Sequence, residues 1–206
     1  MILTITTVLR ANARDKKEIK SVNRRINELF VSLLRRIPSK FGNIARAKYY
    51  QKFVGNYALI RYGVIISHPK NLRLGNGVSI GYNTIIRAKN GVEIGDYTMI
   101  SWRVNILSLN HNHCLNGVPF RFQGSSGEKV VIGQNCWIGC NVSIMSGVKI
   151  GDNCVIGASS VITKDIPDNS VVVGVNKIVR TLHAPYSQPP PELIQRQVHP
   201  PSQITH

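Results

Sequence analysis

Apolar and polar residues alternate with a period of six between Leu74 and Ile162. One aliphatic residue marks each repeat, a glycine often follows it, and a small or β-branched residue lies two positions before it. A period of six fits neither an amphipathic helix nor one hairpin, and it is typical of a β-helix. A β-sandwich would show this spacing only by coincidence. The aliphatic positions form three unbroken runs: Leu74, Ile80 and Ile86; Ile94, Ile100 and Ile106; Ile132, Ile138, Ile144, Ile150, Ile156 and Ile162.

The repeat predicts short strands joined by corners. The aliphatic residue and the residue two before it share the inward face of one strand. The glycine and the asparagine or aspartate that follow, as in Gly151-Asp152-Asn153, are expected to turn the corner because they tolerate positive φ. Three hexads complete one triangular coil, and successive coils stack. Two extra residues before Ile94 predict a wider corner at Lys89-Asn90.

The repeat is interrupted once. Residues 112–129 have no six-residue pattern and include Gly117, Pro119 and Gly124. We expect this segment to leave the coils at a corner as a projecting loop, which in solenoids often lies on the binding face. The pattern resumes at Ile132, and residues 171–180 predict a closing strand.

The ends of the chain differ from the repeats. Residues 16–37 predict an amphipathic helix with one apolar stripe, and residues 44–62 are expected to lead into the first coil. The proline-rich end predicts a disordered tail. The expected organisation is a basic N-terminal helical arm (1–62), a β-helix domain (63–181) and a flexible tail (182–206).

Positive charge is concentrated in the arm. The net charge is +16, and residues 1–60 carry thirteen lysines and arginines against three aspartates and glutamates. Such a segment is either a solvated face or binds an anionic membrane surface, an anionic glycan or nucleic acid. The apolar stripe of the helix is expected to dock on the body of the protein, on a sister subunit or at a membrane interface.

The sequence predicts a cytoplasmic protein. The first nine residues are apolar but lack a signal-peptide cleavage site, and no stretch reaches the ~20 apolar residues of a membrane span. Four cysteines without the density of a disulfide scaffold indicate a reducing compartment, and Cys136 and Cys154 occupy inward positions. Peripheral contact with the inner face of a membrane is the alternative.

Three stretches of the repeat resemble the hexapeptide-repeat acyltransferases. They are Ile132-Gly-Gln-Asn-Cys-Trp-Ile-Gly139, Ile150-Gly-Asp-Asn-Cys-Val-Ile-Gly157 and Val161-Ile-Thr-Lys-Asp-Ile-Pro167. Residues 72–181 are similar to galactoside and maltose O-acetyltransferases and to enzymes that modify bacterial surface sugars. The resemblance implies an all-β, left-handed parallel β-helix, although parallel crossovers are generally right-handed. It also implies acetyl-CoA as co-substrate and a homotrimer with each site between two subunits.

Two histidines end a coil where the loop departs. His111 and His113 are therefore expected at the mouth of a cleft beneath the loop. Imidazole is a natural general base at neutral pH and would take the proton of an acceptor hydroxyl as it attacks a thioester. The resemblance places the family's catalytic histidine on His111. His113 is expected to orient the acceptor; a surface position without a role is equally open for it.

The resemblance also assigns residues to coenzyme A. Thr163 and Lys164 match the family's pair near the phosphate end. Lys177 and Arg180 match two basic positions, although the run before Lys177 is one residue shorter than usual. Ala158 matches a small residue along which the pantetheine arm lies.

One position departs from the family pattern. Cys140 stands where serine is common. A thiol is a weak donor, so a backbone N–H would have to stabilise the thioester oxyanion there.

On the acceptor side, Asn83 and Arg87 lie one coil before His111 and are expected to face the sugar. An acidic acceptor-binding residue of the galactoside enzymes is Lys89 here. The acceptor is therefore not expected to be a simple galactoside, and the basic character tolerates an acidic glycan.

The leading hypothesis is an O-acetyltransferase that acts on a sugar hydroxyl of a cell-surface polysaccharide or its precursor. An N-acetyltransferase of a nucleotide-linked amino sugar fits the same motifs. A non-catalytic scaffold whose arm binds lipid or nucleic acid is a third hypothesis. A β-helix carbonic anhydrase needs three histidines around zinc, whereas the predicted coils contain only His111 and His113. No metal is expected.

Overall fold

A computed structural model describes residue 26 and residues 29–37, 39–50, 55–56 and 58–183. Residues 16–25 and 27–28 of the predicted N-terminal helix and the predicted tail from residue 184 lie outside the described part. In that part, no helix is long and apolar enough to cross a membrane.

The repeat forms a parallel β-helix with three faces, each a ladder of short parallel strands. Face 1 contains β3, β6, β11 and β14; face 2 contains β1, β4, β7, β12, β15 and β17; face 3 contains β2, β5, β8, β13 and β16. The strands are β1 Leu59–Ile60, β2 Ile65–Ser67, β3 Leu72–Leu74, β4 Ser79–Ile80, β5 Ile85–Arg87, β6 Val92–Ile94, β7 Met99–Ile100, β8 Asn105–Leu107, β9 Asn110–His111, β10 Ser125–Ser126, β11 Val130–Ile132, β12 Trp137–Ile138, β13 Ser143–Ile144, β14 Lys149–Ile150, β15 Val155–Ile156, β16 Val161–Ile162, β17 Ser170–Val173 and β18 Lys177–Thr181.

The chain visits the three faces in turn, so three strands make one coil, and the predicted β-helix is confirmed. The ladder starts at β1, which pairs with β4 and lies four residues before the expected start of the domain at residue 63. Ile60 and Ile66 are six residues apart, but Leu74 follows eight residues after Ile66, so a hexad run that is read from Leu74 misses this strand.

The predicted inward positions fill the core. From Ile80 to Ile162 each aliphatic residue of the repeat is at most 3% exposed. Some of the residues two positions before these aliphatic residues are polar and form hydrogen bonds with the next coil. Thr98 Oγ1, for example, donates to the Gly133 carbonyl oxygen at 2.8 Å. Cys136 and Cys154 are buried core residues, as predicted. A hydrogen bond with Cys154 and burial raise the pKa of the Cys136 thiol, which keeps it protonated.

At the corners, glycine serves a different purpose from the predicted one. Asparagine does adopt the left-handed conformation, with φ 51° at Asn135 and 57° at Asn153. Gly133 is not among the glycines of positive φ. A Cβ there would lie 2.7 Å from the Gly151 carbonyl oxygen and closer still to Asp152 Oδ1. Glycine is required because the backbone of the next coil approaches too closely for a side chain.

Two helices cover the first coil: α1, residues 29–36, and α2, Ser39–Tyr50. The helix predicted over 16–37 is thus confirmed over residues 29–36. α2 packs on β1. Tyr50 belongs to the core cluster, and burial raises its pKa to about 12.

A buried arginine joins both helices to the coil. Arg46 is fully buried, and its Nε donates to the Ile60 carbonyl oxygen on β1 at 3.0 Å. Its Nη1 donates to the carbonyl oxygens of Leu34 at 3.0 Å and Ile37 at 2.7 Å, where α1 ends. Its Nη2 donates to Asn43 Oδ1 at 2.7 Å. Burial lowers the pKa of Arg46, and the carbonyl dipoles take the role of a counter-ion.

The predicted closing strand over 171–180 is instead a hairpin. β17 continues the parallel ladder beside β15, and β18 returns antiparallel to β17. Gly174 and Asn176, with φ 62° and 53°, reverse the chain between them. The single-strand prediction was wrong because valines and isoleucines on both sides of the turn read as one β-branched run.

We expect Arg46→Met to destabilise the protein on the order of 3 kcal/mol, because the buried carbonyl groups of Leu34 and Ile60 would lose their donor. Urea unfolding followed by circular dichroism measures the change. Lys48→Met, exposed on the same helix, is the matched control. Equal unfolding midpoints for the two variants would contradict this role of Arg46.

Candidate active site

The loop leaves the coils at the corner after β8, where Ser108 is fully buried. Its Oγ donates to the Arg87 carbonyl oxygen at 2.9 Å and accepts from the Asn90 N–H at 3.0 Å. Beyond Ser108, β9 pairs antiparallel with β10, with His111 opposite Ser125. His111 therefore lies in a hydrogen-bonded stem that Ser108 fixes to the coil.

One amide side chain organises the loop. Gln123 Oε1 accepts from the Cys114 N–H at 2.8 Å, and its Nε2 donates to the carbonyl oxygens of Cys114 at 2.8 Å and Val118 at 2.6 Å. Asn112 Nδ2 donates to the Gln123 carbonyl oxygen at 2.9 Å. These bonds close the loop although its phenylalanines remain exposed.

A lysine of the preceding coil also supports the stem. Lys89 Nζ donates to Ser125 Oγ at 2.8 Å. This residue occupies the position where the resemblance has an acidic acceptor-binding residue. The two partners are 36 residues apart, and no sequence pattern links them.

A cavity of about 810 Å³ lies beneath the loop. Its volume falls within the range of small-molecule binding sites. It follows one corner of the β-helix from the loop to the last coil. Its lining includes His111 and His113 of the loop stem, Glu128 at the end of the loop, Ser146 after β13, and Thr163 and Asp165 after β16.

The two histidines have different surroundings. His113 Nδ1 lies 3.2 Å from the His111 carbonyl oxygen, so the tautomer protonated at Nδ1 donates to that oxygen. The His111 ring is exposed and lines the cavity. In the described part of the chain, no protein group forms a hydrogen bond with that ring. Its nitrogens are therefore available to a substrate.

Asn176 ties the predicted coenzyme residues together. Its Oδ1 accepts from the N–H groups of Thr163 and Lys164 at 2.8 and 3.3 Å, and its Nδ2 donates to Thr163 Oγ1 at 2.7 Å. Lys177 follows Asn176 at the start of β18, and Arg180 lies further along that strand. The exposed side chains of Lys164, Lys177 and Arg180 thus lie on two elements that Asn176 joins.

Asn83, Cys140 and Ala158 lie elsewhere. Each follows a face 2 strand, so they form a column at the corner between faces 2 and 3, whereas the cavity follows the corner between faces 3 and 1. Arg87 ends β5 on face 3 and is exposed, but it does not line the cavity. One chain therefore does not bring all the predicted site residues together. Because three hexads make one coil, the hexad positions of these residues would already have assigned them to a different corner from that of the cavity.

The polar residues of the cavity that no sequence pattern revealed include Glu128, Ser146 and Asp165. Ser146 Oγ accepts from the Glu128 N–H at 2.7 Å and donates to the Glu128 carbonyl oxygen at 3.2 Å. This contact fixes the point where the loop rejoins the coils. Glu128 closes the loop and Ser146 lies in a regular hexad, so neither stands out in the sequence.

His68 follows β2 and so lies within the first coil, contrary to the expectation that the coils hold only two histidines. Between residues 58 and 183 and in the described helices, no group of three His, Cys, Asp or Glu side chains could hold a metal ion.

Known proteins share the repeat. The family model described as bacterial transferase hexapeptide (six repeats) matches residues 129–164. The galactoside O-acetyltransferase of Escherichia coli (strain K12) is 37% identical over 135 residues, 63% of this chain and 64% of that protein. The putative colanic acid biosynthesis acetyltransferase WcaF of the same strain is 30% identical over 131 residues, 61% of this chain and 66% of that protein. The matches span just under two thirds of each relative.

The fold recurs in a solved structure of the hexapeptide-repeat containing acetyltransferase VCA0836 from Vibrio cholerae O1 biovar eltor, complexed with acetyl coenzyme A. The TM-score is 0.69 at 23% identity, over 81% of this chain and 90% of that one. The unbroken hexads and the matching family model show that residues 129–164 carry the bacterial transferase hexapeptide repeat, and the chain is similar to these acetyltransferases.

Proposed function

We propose that the protein transfers an acetyl group from acetyl-CoA to a sugar hydroxyl, with His111 as the general base. The exposed His111 ring carries this proposal, because it lines a cavity that extends along the coils to Thr163. The names of the galactoside O-acetyltransferase and WcaF relatives support the same reaction.

In this reaction, neutral His111 accepts the proton of the acceptor hydroxyl as its oxygen attacks the thioester carbonyl carbon. The new C–O bond forms and the C–S bond breaks. The protonated imidazole then returns the proton to the departing CoA sulfur. Because one cavity holds both reacting groups, direct transfer requires no acyl-enzyme.

Coenzyme A extends from the cavity toward the C-terminal hairpin. Its phosphates require cations, and Lys164, Lys177 and Arg180 supply them on the two elements that Asn176 joins. Thr163 directly precedes Lys164 and lines the same cavity as the histidines, so it connects these cations to the reacting end. The thioester end is thereby directed toward His111.

The complete site requires a second subunit of a homotrimer. Asn83, Cys140 and Ala158 lie at another corner, and a neighbouring copy would bring that corner to the cavity. Exposed apolar residues on or beside face 2, namely Met99, Trp102 and Trp137, support packing between copies. The Cys140 position then contributes a backbone N–H to the oxyanion and Ala158 leaves space for the pantetheine arm.

The acceptor is a sugar unit that is neutral where it meets the cavity. The carboxylates of Glu128 and Asp165 accept hydrogen bonds from sugar hydroxyls and repel anionic groups. Lys89, which would favour an acidic glycan, is engaged with Ser125. The printed name of the WcaF relative supports a polysaccharide or its precursor as the acceptor.

His111→Ala is expected to lower kcat by about 10²–10⁴-fold, the usual contribution of a general base. His113→Ala should cost less and act mainly on the acceptor KM. Initial rates with acetyl-CoA and candidate sugars measure kcat and both KM values for the parent and the two variants. If His113→Ala is inactive while His111→Ala keeps most of its activity, the base is His113. If the parent neither transfers nor hydrolyses acetyl-CoA, the protein is a scaffold.

Lys164→Ala should raise the acetyl-CoA KM with little effect on the acceptor KM. The loss of a charge-assisted contact corresponds to roughly 1–3 kcal/mol. Lys149→Ala, which removes an exposed lysine on face 1, is the control. Equal affinity of the parent protein for CoA and dephospho-CoA would count against the 3′-phosphate as the partner of these cations.

Light scattering should give the mass of a trimer at the concentrations used for activity assays, because the site is incomplete in one chain. Mixing inactive His111→Ala with an Ala158→Trp variant should restore part of the activity. Some sites would then combine an intact His111 from one subunit with an intact Ala158 from its neighbour. An active monomer would refute the shared site.

A further inference from the structure

The helices that cover the first coil have an apolar outer surface. Inward positions are taken by Leu34, Arg46 and Tyr50, which are buried. Phe41 is 74%, Ile44 66% and Leu29 64% exposed. We call the following outward residues of α1, α2 and their junction the cap surface: Leu29, Phe30, Leu33, Ile37, Phe41 and Ile44.

Such a surface is unusual for the end of a solenoid. The terminal repeats of solenoids have a polar outer side, because they separate the core from water. Here the core is already covered by the inner side of the helices, and a second set of large apolar residues faces outward. Clustered exposed residues of this size mark an interaction site.

The charge of the same segment distinguishes between three possible partners of the cap surface: a second copy of the chain, nucleic acid and a lipid bilayer. Arg36 and Lys48 are exposed on the two helices, and residues 1–60 carry ten more positive than negative side chains. A second copy on this surface would bring like charges together, which disfavours association. Nucleic acid would match the charge but not the leucines and phenylalanines, since such interfaces are more polar. An anionic bilayer matches both, with acyl chains for the apolar residues and phosphates for the cations.

We propose that the cap surface docks the protein on an anionic lipid bilayer. Arg46 holds both helices to β1 through its four hydrogen bonds, so the surface has a fixed orientation relative to the coils. The first coil is then the part of the β-helix that lies nearest the bilayer. β2, β5 and β8 are successive strands of face 3, which puts the loop corner about 10 Å beyond that coil at the usual strand spacing.

The test is co-sedimentation of the full chain with vesicles. Phosphatidylcholine vesicles with about one third phosphatidylglycerol supply the anionic surface, and pure phosphatidylcholine is the neutral reference. The Leu33→Ser/Phe41→Ser variant removes two exposed apolar residues of the cap surface. Leu115→Ser/Val175→Ser, in the loop and the C-terminal hairpin, removes two exposed apolar residues elsewhere.

The parent protein should bind the anionic vesicles, and binding should weaken at high salt because the Debye length falls. The cap-surface variant should lose at least roughly tenfold in vesicle affinity, while the control variant should bind like the parent. Both variants should keep the oligomeric mass, and the cap-surface variant should keep transferase activity on a free sugar acceptor.

Three results would overturn the proposal. The first is that the parent protein does not bind anionic vesicles at low salt. The second is that the cap-surface variant and the control variant bind these vesicles equally. The third is a fall in oligomeric mass in the cap-surface variant without a change in vesicle binding, which would make the surface an interface between copies. The outcome is independent of the transfer reaction, because vesicle binding is measured without substrates.

Discussion

Successive coils stack so closely that backbone lies directly on backbone, and this close contact limits which residue can occupy each position of a hexad. At Gly133 a Cβ would collide with the Gly151 carbonyl group, and the same pattern recurs where Gly151 meets Asp168. Asparagine side chains continue the stack, with Asn135 Nδ2 donating to Asn153 Oδ1 at 2.9 Å. The position of a residue in its hexad therefore sets both its face and its inward or outward direction.

A regular stack of this kind has no cleft, so a site must arise where the repeat is broken. The loop supplies that break, and its geometry depends on polar contacts rather than on apolar packing. Ser108 fixes its start, Ser146 fixes its end, and Gln123 holds its interior. His111 combines a rigid backbone in the stem with a ring that has no protein partner among the described residues, an arrangement that suits a proton-transfer group.

The two ends of the β-helix are closed by different chemistry. At the start, the guanidinium of Arg46 satisfies carbonyl groups of two helices and of β1. At the other end, Asn176 joins the last hairpin to the Thr163-Lys164 corner. Each closing element thus has an inner side that stabilises the coils and an exposed outer side, which is apolar and basic at the first coil and basic at the last.

The β-helix, its inward residues, the place of the loop and the location of His111 at the loop exit could all be predicted from the amino-acid sequence. These follow from the hexad, because each six-residue unit folds in the same local way. Tertiary structure alone decided the pairing of Lys89 with Ser125, the role of Asn176 and the crowding at Gly133, since each depends on residues from different coils. It also decided that Leu29, Leu33 and Phe41 face outward: helical periodicity defines an apolar stripe, but only the buried contacts of Leu34, Arg46 and Tyr50 determine which side meets the core.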